Sequence, residues 1–245
     1  NHGGKANGFT VPNPNAQANV IAQALAAAGV DAAQVGYVEA HGTGTALGDP
    51  IELAGLAKAY RHYTDQTAFC ALGSVKSNIG HCESAAGIAG LTKILLQMQK
   101  GQWVPSLHSE TLNPAIDFAQ SPFVVQRELA PWPRRVRSEA GVARECPRLA
   151  GLSSFGAGGS NAHLIIEEYL PPPPSASNHP PLPVAVLLSA ANAERLQDSA
   201  RRLLAFCSAP EARDLSLHDV AYTLQTGREV LNARLGFMAH SLDDV

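Results

Sequence analysis

One order of local signals is written twice in this 245-residue chain, and it limits the possible folds more than any other feature. Residues 35–40 (VGYVEA) are a short apolar run that reads as a buried strand, and it empties into the glycine-broken loop HGTGT at 41–45. A helix follows and runs to about Tyr63. At its start Asp49 is expected to cap, Pro50 to occupy the first turn and Glu52 to reach back to the cap. The order then repeats, with FCAL at 69–72 as a strand, GSVKSNIGH as a long loop, and residues 84–100 as an apolar helix carrying Ala85, Ile88, Leu91, Ile94, Leu95 and Met98. Such alternation predicts a layered α/β fold whose functional loops leave the carboxyl ends of parallel strands.

The flanking sequence extends this plan. Residues 15–28 form an Ala-rich helix with asparagines ahead of it and Gly29 as a stop. Residues 101–148 are expected to be irregular apart from a strand at 123–126. Strands at 149–155 and 163–169 are joined by the turn GAGGSNA, a hairpin arrangement. Seven prolines crowd residues 171–183, a stiff extended linker and the expected domain boundary. Beyond it come a strand at 184–189, helices at 192–207 and 215–226 and a strand at 235–239, ending on SLDDV, which reads as the opening of another helix. The expected organisation is therefore 1–170, a linker at 171–183, and a small, unfinished α/β unit at 184–245. The opening NHGGKANGFTVPNPN reads as the middle of a loop, as though the chain were a fragment of a larger protein.

Composition removes several classes. A net charge of -3 provides no basic field for a phosphate backbone, which argues against a nucleic-acid partner. No run of about 18 apolar residues is present to span a bilayer. The four cysteines, Cys70, Cys82, Cys146 and Cys207, are scattered without a CxxC pair, fitting reduced thiols in a cytoplasmic setting and no metal cage.

Two histidines end equivalent strand-to-loop passages, His41 after the first strand and His81 just before the second helix. Parallel strands deliver such loops to one edge, so the pair is expected to converge. Lys76 lies in the same loop as His81, placed to tune it or to bond a carbonyl, and Thr43 and Thr45 put hydroxyls beside His41. GAGGSNA resembles a phosphate cradle but lacks the GxGxxG order and a following helix, so a mobile turn beside a site is the better reading. Cys82 next to His81 raises a Cys-His nucleophile, although adjacency in sequence points the two side chains apart. Six arginines between residues 127 and 148 could meet an acidic partner or simply be a solvated surface.

VEAHGTGTALGDPIE, GSVKSNIGHCESAAGIAGLTK and GLSSFGAGGSNAHLIIEE, taken together and in this order, resemble the C-terminal half of the ketosynthase domain of modular polyketide synthases, a thiolase-fold β-ketoacyl synthase. The flavour is that of bacterial assembly lines that receive their acyltransferase in trans, and residues 184–245 resemble the start of the linker domain that follows these ketosynthases. The resemblance implies the C-terminal βαβαβ layer of a thiolase-like fold and decarboxylative Claisen condensation of a Cys-bound acyl chain with malonyl-acyl carrier protein. It implies His41 and His81 as catalytic N–H donors, Lys76 as support for them, Thr43 and Thr45 as contacts to the pantetheine amides, and Phe155 as an aromatic gate. No cofactor is implied beyond the phosphopantetheine carried by the acyl carrier protein. The nucleophilic cysteine belongs to the family's N-terminal half, so the expected partners are that half, the carrier protein and a second copy in a homodimer, with no membrane. Alone the chain is expected to be inactive, its inner apolar face uncovered. The alternative is a split-ketosynthase scaffold that docks a carrier protein without elongating.

Overall fold

The computed structural model describes residues 1–4, 11–139, 142–171, 183–212 and 215–245. The chain divides into two compact units, Asn1–Pro171 and Pro172–Val245. The proline-rich linker expected at 171–183 lies, over 172–182, outside the described residues.

The first unit opens with α1 (Pro14–Ala28), whose N-cap Asn13 accepts hydrogen bonds from the backbone of Asn15 and Ala16 and which stops at left-handed Gly29. Then come β1 (Tyr37–Glu39), α2 (Gly48–Tyr60), β2 (Cys70–Gly73), the single-turn α3 (Lys76–Ile79) and α4 (Ala86–Lys100). The remaining elements are β3 (Gln102–Trp103), β4 (Phe123–Val125), β5 (Ala130–Pro131), β6 (Arg135–Glu139), β7 (Val142–Cys146), β8 (Leu149–Phe155) and β9 (Asn161–Glu167). The main sheet has the order β4-β2-β1-β8-β9; β1 lies at its centre, parallel to β2 and β8, and only β9 runs antiparallel. This mixed, mainly parallel sheet with helices on both faces is the α/β layer expected from the alternation.

The period of two along each strand sorts side chains between the faces. Val38, Cys70, Leu72 and Phe155 pack with Ile21 and Leu25 of α1 and Leu53, Leu56 and Tyr60 of α2. Tyr37, Ala71, Ala150 and Leu152 pack with Ile94 and Met98 of α4 and with Trp132. Glu39 belongs to the α4 face. Its buried carboxylate pairs with Lys93 of α4 at 3.0 Å, and it accepts hydrogen bonds from the Tyr37 hydroxyl at 2.6 Å and from the Val75 amide. The opposite side of α4 exposes Ile88, Leu95 and Leu96, each more than half accessible.

Two sequence expectations need correction. Residues 101–148 are not irregular apart from one strand: β3 pairs with β5 and β6 with β7 in antiparallel ribbons too short or too polar to show periodicity. Asp49 is also not the cap of α2, which begins one residue earlier, and Glu52 turns away from the helix start.

In the second unit β10 (Val184–Ala190) and β11 (Ala233–Ala239) form an antiparallel pair, with α5 (Ala193–Cys207) and α6 (Leu217–Thr226) between them in sequence. Asn192 and Ser216 cap the two helices, and Val186, Leu217 and Ala239 are the buried centre. Ser241 and Asp244 complete a reciprocal capping box around a short 3₁₀ turn. Among the described residues no helix is long and apolar enough to cross a membrane.

Candidate active site

The carboxyl ends of β1, β2 and β8 lie side by side, and the segments that leave them build one cleft of about 1450 Å³. His41, Thr43, Thr45, His81 and Phe155 all line it; Lys76 does not. The His41 and His81 rings meet edge-on with centroids 5.6 Å apart, and the Phe155 ring lies 5.8 Å from His41.

The turn after β1 needs glycine. Gly42 has φ +49° and Gly44 φ +75°, and a Cβ on Gly42 would come within 2.7 Å of the Ser74 Cβ, so the backbone passes over the β2 end only because that atom is missing. This close approach is sealed by a hydrogen bond from Ser74 Oγ to the Gly42 carbonyl. The His41 and Gly42 amides donate to the two carboxylate oxygens of Glu52 at 2.7 and 2.9 Å, and the Gly44 amide donates to Asp49. The first turn of α2 thus serves the histidine loop. Its own first amide, that of Gly48, is satisfied by Thr45 Oγ1, and Thr43 Oγ1 stands 3.5 Å from that oxygen.

Each histidine has its Nδ1 occupied by a main-chain donor. The Phe155 amide donates to His41 Nδ1 at 3.4 Å, and the Glu83 amide donates to His81 Nδ1 at 2.9 Å. Glu83 reaches that position in a left-handed conformation, φ +48°, which a non-glycine residue adopts at some cost. An imidazole whose Nδ1 accepts a hydrogen bond carries its proton on Nε2. Both rings are therefore placed as neutral Nε2–H donors. Burial, reinforced by the charge of Lys76 and by the neighbouring His81 ring, lowers the His41 pKa to about 4, so it is neutral at physiological pH. The Glu52 carboxyl is pushed up to about 7 by burial, against the two amides that favour its charged form. Half-buried Lys76 is pulled below the ordinary lysine value by burial, partly offset by Glu52 and Glu39. It acts on His41 through charge and not through contact.

The sequence reading missed Glu52 and Asp49 as parts of the site, because their spacing is also that of a helix start. Cys82 Sγ is directed to the Gly80 carbonyl at 3.9 Å, and Cys70 is buried with its thiol pushed far up, so the Cys-His pair has no support in the geometry. Among the described residues no cluster of His, Cys, Asp and Glu could hold a metal ion. A second cleft, about 740 Å³, lies within the other unit between α5, α6 and β10; its walls mix aliphatic with polar and charged side chains and contain no histidine.

The chain is similar to known domains and structures. Residues 1–110 match the β-ketoacyl synthase C-terminal domain, and residues 187–245 match the RhiE-like KS-MAT linker domain. The chain is 56% identical over 246 residues to polyketide synthase PksL of Bacillus subtilis, and 52% identical over 254 residues to polyketide synthase ThaG of Burkholderia thailandensis. These alignments take in all of this chain but only 5% and 4% of the two relatives. Among solved structures, the oxazolomycin ketosynthase domain OzmH KS7 of Streptomyces albus JA3453 superposes with a TM-score of 0.71 at 48% identity, covering this whole chain and 41% of that one. The ketosynthase from module 6 of the bacillaene synthase of Bacillus subtilis 168 gives 0.67 at 40% identity, with 40% of its chain covered.

Proposed function

The chain carries a β-ketoacyl synthase C-terminal domain followed by a RhiE-like linker domain, as polyketide synthases do, and on that premise we propose that it supplies the donor half of a condensing site. The substrates are a malonyl unit on the phosphopantetheine arm of an acyl carrier protein and an acyl chain held as a thioester on a cysteine. No cysteine is among the described residues that line the cleft, so the nucleophile comes from ketosynthase sequence outside residues 1–245. The exposed face of α4 at Ile88, Leu95 and Leu96 is where that second layer packs.

The observation that carries this reading is the pair of Nε2–H donors facing one cleft. As the bond from the malonyl α-carbon to its carboxylate breaks, CO₂ leaves and the electron pair moves into the thioester, placing negative charge on the carbonyl oxygen. His41 and His81 donate to that oxygen, a form of stabilisation worth on the order of a hundredfold to a thousandfold per donor. The α-carbon then attacks the acyl thioester carbonyl, a carbon–carbon bond forms, and the cysteine thiolate leaves. Neither imidazole has to gain or lose a proton. Glu52 holds the His41 backbone in place, Lys76 disfavours the imidazolium, Thr43 and Thr45 receive the pantetheine amides, and Phe155 closes the acyl side.

The test is malonyl-carrier decarboxylation by the complete synthase. His41→Ala and His81→Ala each lower the rate by about a hundredfold or more, while the acyl-cysteine still forms. Unchanged decarboxylation in either variant refutes the assignment.

A further inference from the structure

A third histidine in the cleft repeats the arrangement that defines the other two. The Gly4 amide donates to His2 Nδ1 at 3.0 Å, so this ring also carries its proton on Nε2. Among the described residues no acceptor meets that Nε2–H. The residue is anchored against the turn that follows Phe155: His2 bridges Ser160, the Gly3 amide donates to the Gly159 carbonyl at 2.6 Å, and Asn13 Nδ2 donates to the Gly3 carbonyl at 2.8 Å. The ring lies along Gly159, itself at φ +90°. A Cβ at that position would stand 3.0 and 3.1 Å from His2 Cε1 and Nε2. The missing side chain is what leaves the donor edge uncovered, at the rim of the cleft that holds His41, His81 and Phe155.

We propose that His2 is a substrate-binding, specificity-determining residue of this site, donating from Nε2–H to a neutral oxygen acceptor on the acyl-phosphopantetheine substrate. The ligand chemistry is a hydroxyl or carbonyl oxygen, since a neutral donor at an exposed rim offers no charge to select a carboxylate. Two sources share that chemistry: an oxygen at the β-position of the acyl chain and an amide carbonyl of the pantetheine arm. The inference rests on the ketosynthase reading above and deepens it.

The experiment uses the complete synthase with butyryl-pantetheine and 3-hydroxybutyryl-pantetheine as acyl donors, and compares wild type with His2→Phe, which keeps a ring on Gly159 but has no donor, and His2→Gln, which keeps a donor. The readout is KM, which the folded fraction does not alter. Loss of one neutral hydrogen bond raises KM about three- to tenfold in His2→Phe, with His2→Gln recovering part of the loss. A rise confined to the hydroxylated chain identifies the acyl oxygen, and an equal rise on both identifies the arm. Unchanged KM on both chains, or a fall in kcat alone, overturns the proposal. His41→Ala assayed alongside separates the two levels, because condensation surviving that change refutes the site itself and not only the role of His2.

Discussion

Acid should weaken the first unit through one buried imidazole. His163 on β9 is 8% exposed, its Nδ1 faces Ser153 Oγ at 3.1 Å, and its Nε2 is buried against Gly151 with no hydrogen-bond partner among the described residues. Burial alone lowers its pKa from 6.5 to about 4. Between those values the unfolded chain takes up a proton that the folded chain refuses. Stability is therefore intact above pH 6.5, declines as the pH falls, and bottoms out below 4. The full shift corresponds to about 3 kcal/mol, and the share already lost at pH 5 is about 2 kcal/mol. Both tryptophans, Trp103 and Trp132, belong to this unit and stack at 5.7 Å, so tryptophan fluorescence during urea unfolding reports on it alone. Unfolding free energies at pH 7.5 and pH 5.0 are compared for wild type and His163→Leu. The wild type loses about 2 kcal/mol more than the variant on acidification. Equal losses would mean that His163 is protonated in the native state and that the argument from burial is wrong. His41, also held neutral, titrates in both proteins and cancels.

Two substitutions test the packing beneath the site. Gly42→Ala places a methyl 2.7 Å from the Ser74 Cβ at φ +49°; the left-handed backbone alone costs roughly 1–2 kcal/mol, so the urea midpoint and the decarboxylation rate both fall, and a variant with wild-type values for both contradicts the described turn. Glu39→Ala leaves the Lys93 ammonium buried without its partner, which destabilises by about 3–5 kcal/mol. In Glu39→Met combined with Lys93→Met the unfolding free energy returns most of the way to wild type, whereas a double variant as weak as Glu39→Ala would show that the pair is not the cause.

The alternation of strand, loop and helix was visible because a central strand such as β1 is apolar on both faces and its helices carry a regular stripe. Convergence of His41 and His81 followed from topology alone, since loops from neighbouring parallel strands must share an edge. What the sequence could not show was which amides each carboxylate would meet. Asp49 and Glu52 have the spacing of a helix cap, yet they serve the backbone of Gly44, His41 and Gly42, donors made available only by the turn above them. Glu39, inside an apolar run, gave no sign of its pairing with Lys93, because that contact joins residues 54 positions apart. The influence of the Lys76 charge on His41 is likewise a matter of distance and burial, which spacing does not encode. The ribbons formed by β3 with β5 and β6 with β7 escaped notice since strands of two to five mostly polar residues have no periodicity to read.

Placing His41 after the central strand, with parallel neighbours on both sides, gives the site a built-in ruler. Hydrogen-bonded strands keep a pitch near 4.8 Å, and the ring's two companions, His81 from the segment after β2 and Phe155 at the end of β8, sit at 5.6 and 5.8 Å. The spacing of these rings is thus tied to the lattice of the sheet, among the least adjustable lengths in a protein. Length along the strands is under no such constraint. Under the proposed function, chains of very different size are met by remodelling the space beyond Phe155, while the spacing of the three rings stays the same.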